Sequence, residues 1–148
     1  MPLSAAEASE DPLDFLASVS DKIDGFLYRC RNDAHYTMLR LTSGFDRMLG
    51  RSSAGMVLVG QSFANLIHKD DIDLVRSAIE KALAENRRWR VLYRLMHQQG
   101  HWVWAYETGG GVRDAKGELR FLDGVILDVS HFDDCLTAQT RQIAADLT

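Results

Sequence analysis

Apolar residues change period several times along the chain. Leu13, Leu16, Val19 and Ile23, with Phe15 beside them, recur every three or four positions. That is the stripe of a helix, opened by Asp11 as cap and Pro12 in the first turn and closed near Gly25. Residues 26–31 and 36–42 read as two strands around the polar turn Asn32-Asp33-Ala34-His35. A short helix at 45–49 stops at Gly50, and the Gly- and Ser-rich residues 50–61 read as loop. Ser62 caps a single turn at 63–67. Asp70 and Asp71 then open the strongest helical pattern of the chain, Ile72, Val75, Ile79, Ala82 and Leu83, which runs to about Asn86. Three strands follow, near 88–97, 101–108 and 119–129, separated by Gln98-Gln99-Gly100 and Asp114-Ala115-Lys116-Gly117. Gly109-Gly110-Gly111 reads as a strand break or bulge. From Asp134 the pattern turns helical again, anchored by Leu136, Ile143 and Leu147.

Five strands interrupted once by helices predict an α+β fold: a five-stranded antiparallel sheet with helices on one face. The expected organisation is a tail and flanking helix over 1–22, the sheet body over 23–132, and the start of a C-terminal helix over 133–148. Alternation divides each strand into two residue sets. Val91, Tyr93 and Leu95 oppose Arg90, Leu92 and Arg94. Val103 and Ala105 oppose Trp102, Trp104 and Tyr106. Leu122, Gly124 and Ile126 oppose Phe121, Val125, Leu127 and Val129. The last strand is apolar on both sides, so both faces require cover. The internal helices supply one, and the first helix or a second subunit the other. The three aromatics of the fourth strand, beside the small Gly124, are expected to frame a ligand concavity under the helices.

Composition narrows the function classes. The chain has 148 residues, 46% hydrophobic and 26% charged, the proportions of one globular domain. A net charge of -4, with no run of more than two basic residues, gives no reason to expect nucleic acid or an anionic membrane as partner. No apolar stretch reaches the roughly 20 residues of a membrane span, and the N-terminus lacks the pattern of a secretory signal. Two cysteines, Cys30 and Cys135, without metal-like spacing, fit a reducing compartment. The expected location is cytoplasmic.

The ordered motifs resemble a known family. His68-Lys69-Asp70-Asp71 resembles the His-Pro-Asp-Asp entry to the long helix of PAS domains, with Lys69 in place of proline. Tyr93-Arg94, Gly100-His101-Trp102-Val103-Trp104, Asp114-Ala115-Lys116-Gly117, Gly124 and Leu127-Asp128-Val129-Ser130 match the PAC half of that family in order and spacing. Phe45 to Gly50 resembles its Phe-x-x-x-Leu-Gly segment, and the likeness covers residues 23–132. The resemblance implies the PAS fold and a sensory or regulatory module in signal transduction. Such modules answer a small molecule or redox cue, or mediate dimerisation. They control an attached effector such as a histidine kinase, diguanylate cyclase or chemoreceptor.

The chemistry within that family is then a matter of residues. A covalent flavin photoadduct needs a thiol that Gly60–Ile67 lacks. Haem needs an axial ligand, and the long helix carries no histidine; His68 just before it reads as a turn residue. His35, His97, His101 and His131 form no metal spacing. A non-covalent flavin or haem sensor remains the alternative function, and the cofactor is left open. Asp70-Asp71 reads as helix capping, and no nucleophile–base pair stands out, so enzyme activity, for instance that of a small cone-shaped α+β enzyme, is not expected. A ligand is expected between the long helix and a face bearing Tyr93, Trp104, Tyr106 and Ile126, with Gln61 and Asn65 as polar contacts. Signal is expected to leave through Asp128 and Ser130. The expected partners are a second copy in a homodimer, a covalently attached C-terminal effector and a small-molecule ligand.

Overall fold

The computed structural model describes residues 11–130 and 141–147. Five antiparallel strands, β1 (Gly25–Cys30), β2 (Met38–Leu41), β3 (Trp89–Met96), β4 (Trp102–Arg113) and β5 (Leu119–Asp128), form one sheet in the order β2-β1-β5-β4-β3. Both terminal strands of the sequence therefore lie in the middle of the sheet. The helices α1 (Pro12–Ser20), α2 (Gly44–Leu49), α3 (Ser53–Val59) and α4 (Ile72–Ala84), with a 3-10 turn at Ala64–Leu66, complete the order. The expected α+β architecture is present.

Capping explains the boundaries. Asp11 accepts a hydrogen bond from the Leu13 amide at 2.8 Å and Pro12 fills the first turn of α1. This helix ends at Ser20, short of the expected Gly25, and the Lys22 amide closes it on the Val19 carbonyl. Residues 50–61, expected as loop, contain α3. Its glycines and serines are punctuation: the Ser52 hydroxyl caps the Gly55 amide at 2.9 Å, and Gly60 closes the helix at a left-handed φ of 71°. Met56 anchors it in the core.

Asp71 does not cap α4 through its side chain. Its carboxylate takes three hydrogen bonds from Arg94 instead, from the backbone amide and Nε at 2.9 Å and from Nη2 at 2.8 Å. This clamp ties the start of the long helix to edge strand β3. The His68 ring accepts the Asp70 amide at 3.0 Å, as a turn residue would, and lies 4.4 Å from the Trp102 ring.

Strand register decides which side chains meet. Tyr93 pairs with Ala105, Val91 with Glu107 and Trp89 with Gly109. Glu107 pairs in turn with Ile126 and Gly109 with Gly124, and β1 adds Phe26 opposite Ile126 and Tyr28 opposite Gly124. The helix-covered face thus carries Trp89, Val91, Tyr93, Leu95, Val103, Ala105, Glu107, Leu122, Ile126, Phe26 and Tyr28, all buried. Trp104 and Tyr106 fall on the opposite face with Phe121, Val125 and Leu127. The expected single face of Tyr93, Trp104, Tyr106 and Ile126 is therefore split between the two sides. The Gly109–Gly111 run does not break β4, whose register shifts only between Val112 and Arg113.

The outer face leaves Leu127 exposed and Phe121 and Val125 half-buried. It carries a bidentate Arg29–Asp123 pair at 2.7 and 2.8 Å, with the guanidinium over Phe121. Residues 141–146 are helical, and Arg141 lies over the Trp104 ring at 4.1 Å. Ile143 and Leu147, expected as anchors, are exposed, and so is the apolar stripe of α1, with Leu13 74% and Phe15 62% accessible. His131, Cys135 and Leu136 lie outside the described residues.

Candidate functional site

The site is built on two missing side chains. Gly109 and Gly124 are register partners on β4 and β5. A Cβ on Gly109 would fall 2.5 Å from the Trp89 ring, and one on Gly124 would fall 2.4 Å from the Tyr28 hydroxyl and 2.5 Å from its ring. The two bare positions let both rings lie flat against the sheet and reach the next buried position of β4, Glu107. Tyr93 arrives from β3.

Three donors converge on that carboxyl. Tyr28 Oη and Trp89 Nε1 donate to Glu107 Oε2 at 2.9 and 2.7 Å, and Tyr93 Oη donates to Oε1 at 2.6 Å. Glu107 is 3% exposed and Trp89 and Tyr93 are at most 1% exposed. Burial pushes the Glu107 carboxyl above its ordinary value against the pull of the three donors. Burial, and then the neighbouring Glu107 charge, push both tyrosines well above the ordinary phenol value. An acid held by neutral donors, with no cation bonded to it among the described residues, is an expensive occupant for a core position that Leu or Val could fill.

Above this carboxyl lies a cavity of about 10 Å³, walled by aromatic and aliphatic side chains including Tyr28, Tyr36, Phe63, Val75, Ile79 and Tyr93. That space accommodates about one water molecule. An isoalloxazine or a porphyrin does not fit there, and no histidine lines the wall to ligate haem iron. Cys30 borders the cavity as a buried free thiol whose pKa burial pushes up, so it is held as the unreactive thiol.

The structure gathers only part of the expected ligand set. Tyr93 lines the cavity, and Ile126 is buried on the same face beside Glu107. Gln61 and Asn65 are exposed, because the 3-10 turn directs Phe63 and Leu66 inward instead. Trp104 and Tyr106 lie across the sheet. Sequence reasoning missed Glu107, Tyr28 and Trp89, although one signal was present: continuing the Val103, Ala105 set by two places reaches an acid inside an apolar face.

At the far end of β5 the strand is tied down by its neighbours. Asp128 Oδ1 accepts the Ser130 amide at 2.9 Å, and the Ser130 hydroxyl accepts the Trp104 amide. The Asp128 amide donates to Asp24 at 2.6 Å, and Val129 donates to Trp104 at 3.0 Å. A more open hollow of about 230 Å³ between Ile23, Gly44, Arg47 and Asp128 adjoins this junction. The backbone of Trp104 is thus bonded to the strand end, and its ring meets Arg141 of the C-terminal helix.

This geometry has counterparts among known proteins. The sequence model described as PAS fold matches residues 38–126. The two-component sensor PprA of Pseudomonas aeruginosa is 35% identical over 79 residues, a span that makes up 51% of this chain and 8% of that protein. A PAS domain from Colwellia psychrerythraea superposes with a TM-score of 0.67 at 18% identity, over 81% of this chain and 98% of that one. The N-terminal domain of a diguanylate cyclase with PAS/PAC sensor from Marinobacter aquaeolei gives 0.60 at 22% identity, over 72% and 95%. Sheet order, helix placement and the matched sequence span agree, and the chain belongs to the PAS fold family.

Proposed function

We propose that this chain is a sensory and regulatory module of a signal-transduction protein, and that its cue is a small molecule received in the core beneath α4. One observation carries the reading: a buried carboxyl, held by Tyr28, Trp89 and Tyr93, faces a cavity in the middle of the sheet. Such a group costs stability, and a binding role is a physical reason to keep it. The module itself is non-catalytic on this reading. Glu107 is enclosed with phenols and an indole, and the one thiol on the cavity wall among the described residues, Cys30, has its pKa pushed up by burial.

The signal would leave along β5, whose Ile126 pairs with Glu107 and whose Asp128 and Ser130 hold the strand end. From there Trp104 and Arg141 offer a contact to the C-terminal helix and an attached effector. The PprA relative, of which the matched span is 8%, supports such a multidomain setting. The exposed stripe of α1 and the open sheet face around Val125 and Leu127 support a homodimer. Light scattering should report a dimer that deletion of residues 1–22 weakens. A cytoplasmic setting accords with a free, buried Cys30.

The test is a thermal-shift screen of the protein against a metabolite library, with binding mapped by the indole NMR signal of Trp89. Saturable stabilisation that moves this signal supports the reading. A screen in which nothing stabilises the fold, or in which only surface resonances move, refutes it.

A further inference from the structure

The cavity at Glu107 presents acceptors and ring faces, and the donors left on its wall are the Tyr36 hydroxyl and the weak Cys30 thiol. Each hydroxyl and the indole N–H that reach the carboxyl already donate to it. An ionised carboxylate has about four acceptor positions, so three donors leave about one, on the oxygen that carries Tyr93 alone. The wall adds the rings of Tyr28, Tyr36, Tyr93 and Phe63, whose faces carry negative partial charge. The one guanidinium described against this wall, Arg76, lies over the Tyr36 ring at 5.3 Å and donates to the Ala34 carbonyl at 2.7 Å. It makes no bond to Glu107.

Each ligand class fares differently in such a place. An anion would set a second negative charge beside Glu107 in an apolar chamber. A neutral carbonyl compound could accept from the Tyr36 hydroxyl or, weakly, the Cys30 thiol, but would leave Glu107 without a countercharge. A protonated amine would give Glu107 its missing countercharge, fill the remaining acceptor position and lie against ring faces, the chemistry of aromatic cages. Size adds a further limit, since about 10 Å³ suits a group of one or two heavy atoms unless α4 moves outward.

We propose that this core site takes a small protonated amine, of the ammonium or methylammonium class, paired with Glu107 and enclosed by the rings of Tyr36, Phe63 and Tyr93. The assignment rests on the small-molecule reading above and names its ligand class. Binding pairs the carboxylate, so it releases any proton Glu107 holds beforehand, and affinity rises with pH until the carboxyl is fully ionised.

Nitrogen-15 spectra of the whole chain, titrated with ammonium, methylammonium, potassium, formamide and formate, test this. The chain holds three tryptophans, and only Trp89 bonds Glu107. The expected result is a saturable shift of its indole signal with ammonium or methylammonium, with Trp102 and Trp104 unmoved. Glu107→Gln should weaken that binding about tenfold or more. Tyr36→Leu, which removes a ring and none of the bonds to Glu107, should weaken it too and covers the case in which Glu107→Gln does not fold. Binding of formamide or formate in preference to the amines overturns the amine assignment and leaves small-molecule sensing intact. Equal binding of potassium overturns the hydrogen-bonding part and with it the class. If no probe shifts Trp89, the amine proposal fails, while the library screen judges the sensing reading separately.

Discussion

Replacing Glu107 by alanine removes the shared acceptor of three buried donors, Tyr28 Oη, Trp89 Nε1 and Tyr93 Oη. Each donor left unsatisfied costs about 1–3 kcal/mol, or about 3–9 kcal/mol for the three. The truncation also opens space that water can enter, which favours the lower half, about 3–5 kcal/mol. A domain of this size has only about 5–15 kcal/mol to lose. Glu107→Gln is the control. Its carbonyl can accept from Tyr28 and Trp89 while its amide donates to the Tyr93 oxygen, so about 1 kcal/mol is the expected cost. Chemical denaturation of both variants therefore should separate them by about 2 kcal/mol or more. The pH dependence adds a sign. Burial raises the folded-state pKa of Glu107 above its ordinary 4.5. Between those two values the folded state holds the proton that the unfolded state has released, so stability falls as pH rises, by up to about 1.4 kcal/mol per unit. Glu107→Gln should gain on the wild type as pH rises above 4.5, until the raised folded-state value is passed. Alanine and glutamine variants of equal stability, or parallel pH profiles for wild type and Glu107→Gln, would refute the buried-network account.

Gly124→Ala places a methyl 2.4 Å from the Tyr28 hydroxyl, so the ring must move and release Glu107. Calorimetry should show a loss of about 2–4 kcal/mol from overpacking and the broken bond together. Arg94→Met unclamps α4 from β3 and should cost about 2 kcal/mol at neutral pH. Burial opposes ionisation of Asp71, but the Arg94 hydrogen bonds and charge outweigh it and hold the carboxyl below its ordinary 3.8. That stabilisation is complete above 3.8 and is lost as pH falls through the lowered value, so Arg94→Met should flatten the acid limb of the wild-type profile. Asp128→Ala in the full-length protein should leave core binding unchanged and uncouple it from effector output. Normal regulation with a lowered melting temperature would reduce Asp128 to a strand-end cap.

The element order, the helix periods and the PAS motifs could be read from the chain because each is local. Val75, Ile79 and Ala82 lie one turn apart, Asp11-Pro12 opens a helix wherever it occurs, and Asp114 to Gly117 makes its turn from its own backbone and side chains. Alternation within each strand was legible too, since the sets containing Tyr93, Trp104 and Ile126 are each correct within their own strand. What alternation does not carry is the phase between strands. A shift of one residue exchanges the faces, and only the pairing of Tyr93 with Ala105 rather than Trp104 places the tryptophan outside. The same holds for function. Glu107 was an acid among small residues, and Gly109 and Gly124 suggested a break and a concavity. Tertiary pairing set the two glycines side by side, laid Trp89 and Tyr28 over them, and brought the donors from residues 28, 89 and 93 onto one carboxyl. The sequence by itself determined the elements and the family, because those follow from neighbours along the chain. The site was decided by the tertiary structure, because its hydrogen bonds join residues up to 79 positions apart whose meeting depends on strand register.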